Sequence, residues 1–382
     1  MRERGADVHC IKFSHNGQCN PSNRLIPAPI LRFRQIIIQK KISFFMASLL
    51  SGEGEYMKTF PGNKLPTNDF EAPTCEPANF CSNIEASPEK IDSFRKNGYV
   101  VFDNFLDEEQ LQYWRNAVTH AVSKRDNTHR FPSKGQEDTT NVDFAYYLNV
   151  FIQRVNLFQH DEHMNKIFHN TKRTLGKVAA DLQGVDGMRL WHEQALIKQP
   201  FANATAWHVD VPYWSFDSPH AISAWIALDD ATLENGCLYF MPGSHEIVLE
   251  KYKNRVAANS PVTSYNEVSG DMSTRSYFDE IKIGKNMSDL INIHPEMASF
   301  PTVAAPLKAG SISFHHGSLG HGAGCNMTPN WRRAMTFQFM PDGSTFNGRQ
   351  NILTQEQYEK LAIGDVLDDE TVNPMMYRRG ME

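Results

Sequence analysis

Three short stretches of this chain carry side chains suited to metal chemistry: Trp207-His208-Val209-Asp210, then His321, then Arg332. Two imidazoles and one carboxylate form the face that holds non-haem Fe(II) and leaves other coordination positions open for a co-substrate and oxygen. In a strand, residues i and i+2 share a face, so His208 and Asp210 are expected to reach one ion while Val209 points away. His321 lies 111 positions after Asp210, a separation that suits a barrel or sandwich bringing distant strands together. Arg332 follows eleven residues later, across a turn expected at Asn326 to Asn330, and its planar fork suits a carboxylate held bidentately. A His-x-Asp in a chain with 15 histidines carries little weight alone, since such pairs are commonly surface or cap residues.

The elements that must position these residues follow from the hydrophobic pattern. Beyond Gly187, short strands of alternating character separated by Gly, Pro and Asn turns predict an antiparallel double-sheet jelly roll, mainly β with flanking helices. Along Trp191 to Lys198, one parity carries His192, Gln194, Leu196 and Lys198, and the other Trp191, Glu193, Ala195 and Ile197. If His208 and Asp210 mark the inner face, Gln194 and Lys198 stand beside a bound co-substrate, although a slip of one residue reverses the assignment. Further on, Ile222, Ala224, Ile226 and Leu228 make a plain core face, and Ser223, Trp225 and Ala227 the opposite one. Trp225 then either looks into the cavity or is packed core, where a large aromatic usually lies. In the last hairpin Arg332, Ala334, Thr336 and Gln338 share a face, while Arg333 sits among Trp331, Met335, Phe337 and Phe339. Small polar neighbours favour Arg332 as the anion clamp, with Arg333 the runner-up and surface salt-bridging the alternative for both. His315 and His316 point to opposite faces of one strand, so at most one of them faces the lumen.

Ahead of the strands, Ser87-Pro88 starts a helix that Gly98 stops, and Asp107 caps a second with an apolar stripe of Leu111, Trp114, Ala117, Val118 and Ala121. Met164 to Leu182 reads as a third. The His160-Asp-Glu-His163 cluster before it reads as a solvated, charged helix start. The mixed, poorly periodic segment 246–306 suits a lid or substrate loop, and Tyr213, Trp214 and Phe216 are candidates for the wall of an apolar substrate pocket.

Composition narrows the class of partner. The 382 residues are 41% hydrophobic with a formal charge of −6 and no long basic run, which favours a small-molecule substrate over nucleic acid. Six cysteines without C-x-x-C spacing favour a reducing compartment, and Cys237 and Cys325 read as buried thiols. Residues 1–57 have no acidic residue between Asp7 and Glu53 and read as a poorly ordered extension or a transit-like segment. Residues 58–87 read as a linker or extended wrap, and 88–382 as the catalytic domain. No apolar run approaches the roughly 20 residues of a membrane span, and the C-terminus is not the peroxisomal tripeptide. A cytoplasmic location is favoured, or a mitochondrion or other organelle if the basic start is a transit peptide.

The order of several segments is more specific than any one of them. Phe94-Arg-Lys-Asn-Gly-Tyr-Val-Val-Phe102, Ile197-Lys-Gln-Pro200, His208-x-Asp210, Ser223-Ala-Trp-Ile-Ala-Leu228, Asn235-Gly-Cys-Leu238, Pro242-Gly-Ser-His245, Phe314-His-His316, His321-Gly-Ala-Gly-Cys-Asn326 and Arg332-Arg-Ala334 follow one another. In these the chain resembles the phytanoyl-CoA dioxygenase family of Fe(II)/2-oxoglutarate-dependent oxygenases. The resemblance implies a double-stranded β-helix of cupin type. It implies Fe(II) on His208, Asp210 and His321, and 2-oxoglutarate with its far carboxylate on Arg332 and Trp225 alongside. O2 would be the oxidant, with ascorbate as an optional reductant. The implied reaction releases succinate and CO2 and hydroxylates an aliphatic C–H bond of a small-molecule or lipid-like substrate. The intact Asp210 favours hydroxylation over halogenation, while desaturation, ring formation and epimerisation stay open. One departure is Ala323, where the family often carries a serine that bonds the co-substrate; Thr336 is a candidate substitute. A non-catalytic jelly-roll binding protein, or a cupin-like metal enzyme not using 2-oxoglutarate, are the alternatives, and oligomeric state is left open.

Overall fold

The computed structural model describes residues 71–124, 150–250 and 289–380; the expectations for the first 57 residues and for most of the 246–306 loop lie outside them. The first helix, α1 (Pro88–Asn97), is set by its ends: the Ser87 hydroxyl accepts from Lys90 N, and Gly98 closes it at φ 79° with its N–H on Phe94 O. A Cβ on Gly98 would meet His245 Nδ1 and Leu319 Cδ1 at 2.7 Å, so both φ and space demand glycine. After β1 (Tyr99–Phe102), Asp107 and Gln110 cap α2 (Glu108–Lys124) reciprocally, each side chain accepting from the other's N–H. Next come β2 (Ile152–Val155) and α3 (Glu162–Gln183), which is capped by Asp161. Residues 71–87 form neither helix nor strand and pack on this helical layer through Phe80, which is buried on Tyr113 and whose carbonyl accepts from the Trp114 indole.

The strands that follow are β3 (Gly187–Lys198), β4 (Thr205–His208), β5 (Ile222–Ala227) and β6 (Leu238–Phe240). Past the short helix α4 (Asp289–Ile293) lie β7 (Val303–Ala305), β8 (Ile312–His316), β9 (His321–Ala323) and β10 (Arg332–Pro341). Helix α5 (Gln355–Glu359) and β11 (Met375–Arg378) complete the chain. Two antiparallel sheets result. The larger runs β1-β8-β5-β10-β3-β11 with β2 also on β3, and the smaller β4-β9-β6-β7. This is a jelly roll. β7 falls inside the segment read from sequence as a loop; Val303–Ala305 is a sheet strand paired to Leu238–Phe240.

The helices explain the one-sided apolar strands. Ile222, Ala224, Ile226, Met335, Phe337 and Phe339 join Trp114, Val118 and Leu175 in one buried core outside the large sheet. The opposite parity of the same strands faces the small sheet, where Trp225, Ala227 and Ala334 cluster with Leu238, Phe240 and Ala323. One strand breaks its parity. In the β3–β10 register Gln338 pairs with His192 and Phe339 with Leu190, so Trp191 is an extra, bulged residue. Trp191 therefore leaves the face of Glu193, Ala195 and Ile197 assigned to it from sequence. It packs instead with Val211, Trp214, Phe216, Met340, Phe346 and Leu353 in a separate cluster built largely from the C-terminal segment. Arg349 ties that segment to the loop after β4, donating to Val211 O, Trp214 O and Asp217.

Candidate metal centre

His208 and His321 are register partners on β4 and β9, which puts their ring centroids 4.2 Å apart despite their distance in the chain. Each ring is fixed by its own backbone: His208 Nδ1 lies 2.8 Å from Ala206 O and His321 Nδ1 2.9 Å from Leu319 O. A carbonyl can only accept, so both Nδ1 atoms carry the proton and both Nε2 lone pairs are available to a metal. Asp210 does not reach them by strand alternation. β4 ends at His208, and Asp210 has helical dihedrals (φ −81°, ψ −42°) at the start of a 3-10 turn, its N–H donating to Gly317 O at 2.8 Å. The i, i+2 geometry expected from sequence is thus replaced by a turn hooked onto the end of β8. From there Oδ1 lies 3.5 Å from His208 Nε2 and 3.6 Å from His321 Nε2.

These donor atoms all fall within 4.8 Å of one another, and an ion with bonds of about 2.1 Å would need only small side-chain adjustments to bind all three. The N,N,O set fits a first-row divalent metal with open positions. The protonation states fit as well. Burial alone would raise the Asp210 carboxyl, but the surrounding His321, His208 and His315 imidazoles outweigh it and hold the group well below the usual carboxylate range. Burial, reinforced by His208, holds His321 well below the usual imidazole value. A carboxylate at Asp210 beside a neutral imidazole at His321 is the form a metal requires.

The second half of the site lies on the large sheet. Arg332 is 2% exposed, its guanidinium carbon stands 5.2 Å over the Trp225 ring, and its Nε is buried with no hydrogen-bond partner among the described residues. Lys198, fully buried, is its register partner on β3 and donates from Nζ to Val150 O and Asn203 O. Burial first, then the Arg332 charge, pull the Lys198 ammonium down to about 6; burial pulls Arg332 down to about 10. Arg333 is on the other face, paired at 2.9 Å with Asp229. Thr336 and Gln194 are also register partners, but the Thr336 hydroxyl accepts from Gln338 and reaches the Gln194 carbonyl at 3.4 Å, while the Gln194 amide oxygen accepts from Gln153.

Tyr213 is half-buried with its ring 6.3 Å from that of His208, whereas Trp214 and Phe216 stack on each other inside the C-terminal cluster. Packing, not a pocket wall, is the role their surroundings give Trp214 and Phe216. His316 faces away from the candidate metal ligands, donating to Pro219 O and accepting from Ser318 N; burial holds its ring near 3, in the neutral form. The cluster at 160–163 is less solvated than its charges suggest: Asp161 caps α3 and bonds the buried His120, and His163 meets the Tyr113 hydroxyl.

A model of the phytanoyl-CoA dioxygenase family matches residues 94–334. The chain belongs to the phytanoyl-CoA dioxygenase family. Phytanoyl-CoA dioxygenase domain-containing protein 1 of Bos taurus is 24% identical over 303 residues, covering 70% of this chain and 94% of its own length. Phytanoyl-CoA dioxygenase of Arabidopsis thaliana is 24% identical over 272 residues, covering 65% and 86%. Among solved structures, the non-haem α-ketoglutarate-dependent carbocyclase SnoK from nogalamycin biosynthesis superposes with a TM-score of 0.55 at 22% identity, covering 79% of this chain and 99% of its own. The epimerase SnoN, solved with Fe3+, α-ketoglutarate and nogalamycin RO, gives 0.52 at 20% identity, covering 75% and 96%. These likenesses show a shared jelly-roll fold.

Within this phytanoyl-CoA dioxygenase-family site, two residues carry more than their sequence positions announced. Ser223 donates to Asp210 Oδ2 at 2.7 Å; its parity with Trp225 placed it on the inner face, yet nothing in the sequence tied it to the aspartate. His315, not His316, is the member of the pair that faces the candidate metal ligands, 3.4 Å from Asp210 Oδ2.

Proposed function

We propose that this protein is an Fe(II)/2-oxoglutarate-dependent dioxygenase that hydroxylates an aliphatic C–H bond of a small-molecule or lipid-like substrate. The observation that carries the reading is the pairing of a His-Asp-His donor set with a buried arginine whose Nε has no acceptor. A buried charged-group donor without an acceptor costs about 1–3 kcal/mol or more, and a carboxylate delivered by a ligand removes that cost. A ligand anchored to a metal at one end and to an arginine at the other is a short dicarboxylate with a chelating head, as 2-oxoglutarate is.

His208, Asp210 and His321 would hold the iron, which when bound supplies activation of O2. The remaining chemistry belongs to the chain. Arg332 takes the far carboxylate through its fork, with the Trp225 face beneath the guanidinium, and Lys198 adds a second donor from the neighbouring strand. Leu238, Phe240, Leu319 and Ala323 make the space between the sheets apolar, which excludes water and strengthens these contacts. Tyr213 stands beside His208 on the loop after β4, a position that supports a contact with substrate.

Anaerobic titration of the apo-protein with Fe(II) and 2-oxoglutarate tests the reading. A visible metal-to-ligand charge-transfer band is expected in the wild type. It should be absent in His208→Ala and should require roughly 100-fold more 2-oxoglutarate in Arg332→Ala, as loss of a buried charged contact of about 3 kcal/mol implies. Well-folded protein without a band would refute the proposal and favour a binding protein or a metal enzyme that does not use 2-oxoglutarate.

A further inference from the structure

His315 is 3% exposed, and neither of its ring nitrogens has a hydrogen-bond partner among the described residues. A buried imidazole left in that state costs about 1–3 kcal/mol, and such a group asks for an explanation. Its surroundings point to one. β8 holds the ring 4.4 Å from that of His321 and 5.6 Å from Phe240, and aims Nε2 at Asp210 Oδ2 at 3.4 Å, just beyond a formed hydrogen bond. On β5, Ser223 is the register partner of His315 and donates to the same oxygen. The two carboxylate oxygens of Asp210 are therefore divided: Oδ1 faces the Nε2 atoms of His208 and His321, and Oδ2 faces Ser223 and His315.

We propose that His315 and Ser223 form a positioning pair that holds the outer oxygen of Asp210, so that the aspartate offers a metal one oxygen and leaves a coordination position free. A free carboxylate can turn to chelate a metal through both oxygens, and that would close a position the co-substrate or O2 needs. A donor pair on Oδ2 prevents the turn. The large sheet, through β5 and β8, thus sets the geometry of a ligand carried on the loop after β4. Neither residue donates to the metal in this scheme; both act through Asp210. The inference rests on the metal reading of the site.

Co(II) titration, read by d–d absorption and by calorimetry, tests it in the wild type, Ser223→Ala, His315→Phe, His315→Gln and the double variant S223A/H315F. The double variant should bind Co(II) roughly 10- to 100-fold more weakly, with a weaker d–d spectrum of the kind given by an added ligand oxygen. His315→Gln, which keeps an N–H donor, should recover most of both. Apo-stability should change little: His315→Phe loses a 3.4 Å contact to Asp210 that is longer than a formed hydrogen bond, and with it a buried Nδ1 that has no partner among the described residues. Wild-type affinity and spectrum in the double variant would overturn the proposal. So would affinity and apo-stability falling together, which marks a merely structural residue, and so would loss in His315→Phe without recovery in His315→Gln, which marks a direct ligand. Should His315→Phe fail to fold, Ser223→Ala, which removes one hydroxyl, decides through the same spectrum. A wild type that binds no Co(II) overturns the metal reading itself, and a wild type that binds it while the variants match it overturns this inference alone.

Discussion

Lys198 and Arg332 face each other across two strands in a space with few charges to balance them, and that has a measurable consequence for ligand binding. Lys198 titrates near 6, so at pH 7.5 its amine is mostly neutral in the ligand-free protein. A bound carboxylate favours the ammonium and raises that value, so binding of 2-oxoglutarate must take up a proton above pH 6, whereas below pH 6 the group is already charged. Affinity should therefore fall by up to tenfold per pH unit above about 6. Calorimetry in buffers of different ionisation heat should show uptake approaching one proton at pH 7.5, and none in Lys198→Met. Buffer-independent heats in the wild type would rule out a carboxylate contact with Lys198. At this scale the sequence was partly legible. Arg332 and Arg333 are separated by their neighbours alone, because alternation along β10 is unbroken there and Arg333 follows the aromatic face outward to Asp229. His315 and His316 were not separable, since adjacent residues always take opposite faces and only the partner sheet decides which face is inside.

At the scale of elements, the turn between β5 and β6 is packed so closely that a single methyl group should be felt in the anion site. Gly236 has φ 92°, and a Cβ there would lie 2.5 Å from Gly324 O and 2.8 Å from Lys198 Cδ. Gly236→Ala should cost about 1–3 kcal/mol of stability, read by urea unfolding, and should weaken 2-oxoglutarate binding by displacing Lys198 while leaving Co(II) affinity within about twofold. Unchanged 2-oxoglutarate affinity would show that Lys198 tolerates the shift. Two N-caps, the Gly98 stop and apolar spacing made the three long helices readable from sequence, because their signals are local. Strand faces were readable wherever pairing was regular, as in β5 and β10. They failed at Trp191, where a bulge adds a residue, and at Asp210, where the chain turns out of β4 after His208. Both departures depend on what the neighbouring strand does, and no local pattern encodes that.

For the whole molecule, the important division is between sheets. His208 and His321 belong to the small sheet, and Arg332, Trp225 and Lys198 to the large one. A dicarboxylate spanning from the metal to Arg332 would couple the two. Mn(II) and 2-oxoglutarate together should then raise the unfolding temperature by more than the sum of their separate shifts, since each tightens binding of the other. Arg332→Ala should keep the Mn(II) shift and lose the excess; a purely additive wild type would count against a bridging ligand. The jelly roll as a whole was legible from strand texture, whereas the C-terminal cluster was not, because its aromatic and aliphatic residues are scattered and meet only through Trp191 and the loop after β4.

The family match ends at residue 334, yet Arg349 is what grips the loop running from Asp210 past Tyr213. A segment cut at that boundary would keep His208, Asp210, His321 and Arg332 in its sequence, yet lose most of β10 and every hydrogen bond by which Arg349 clasps this loop.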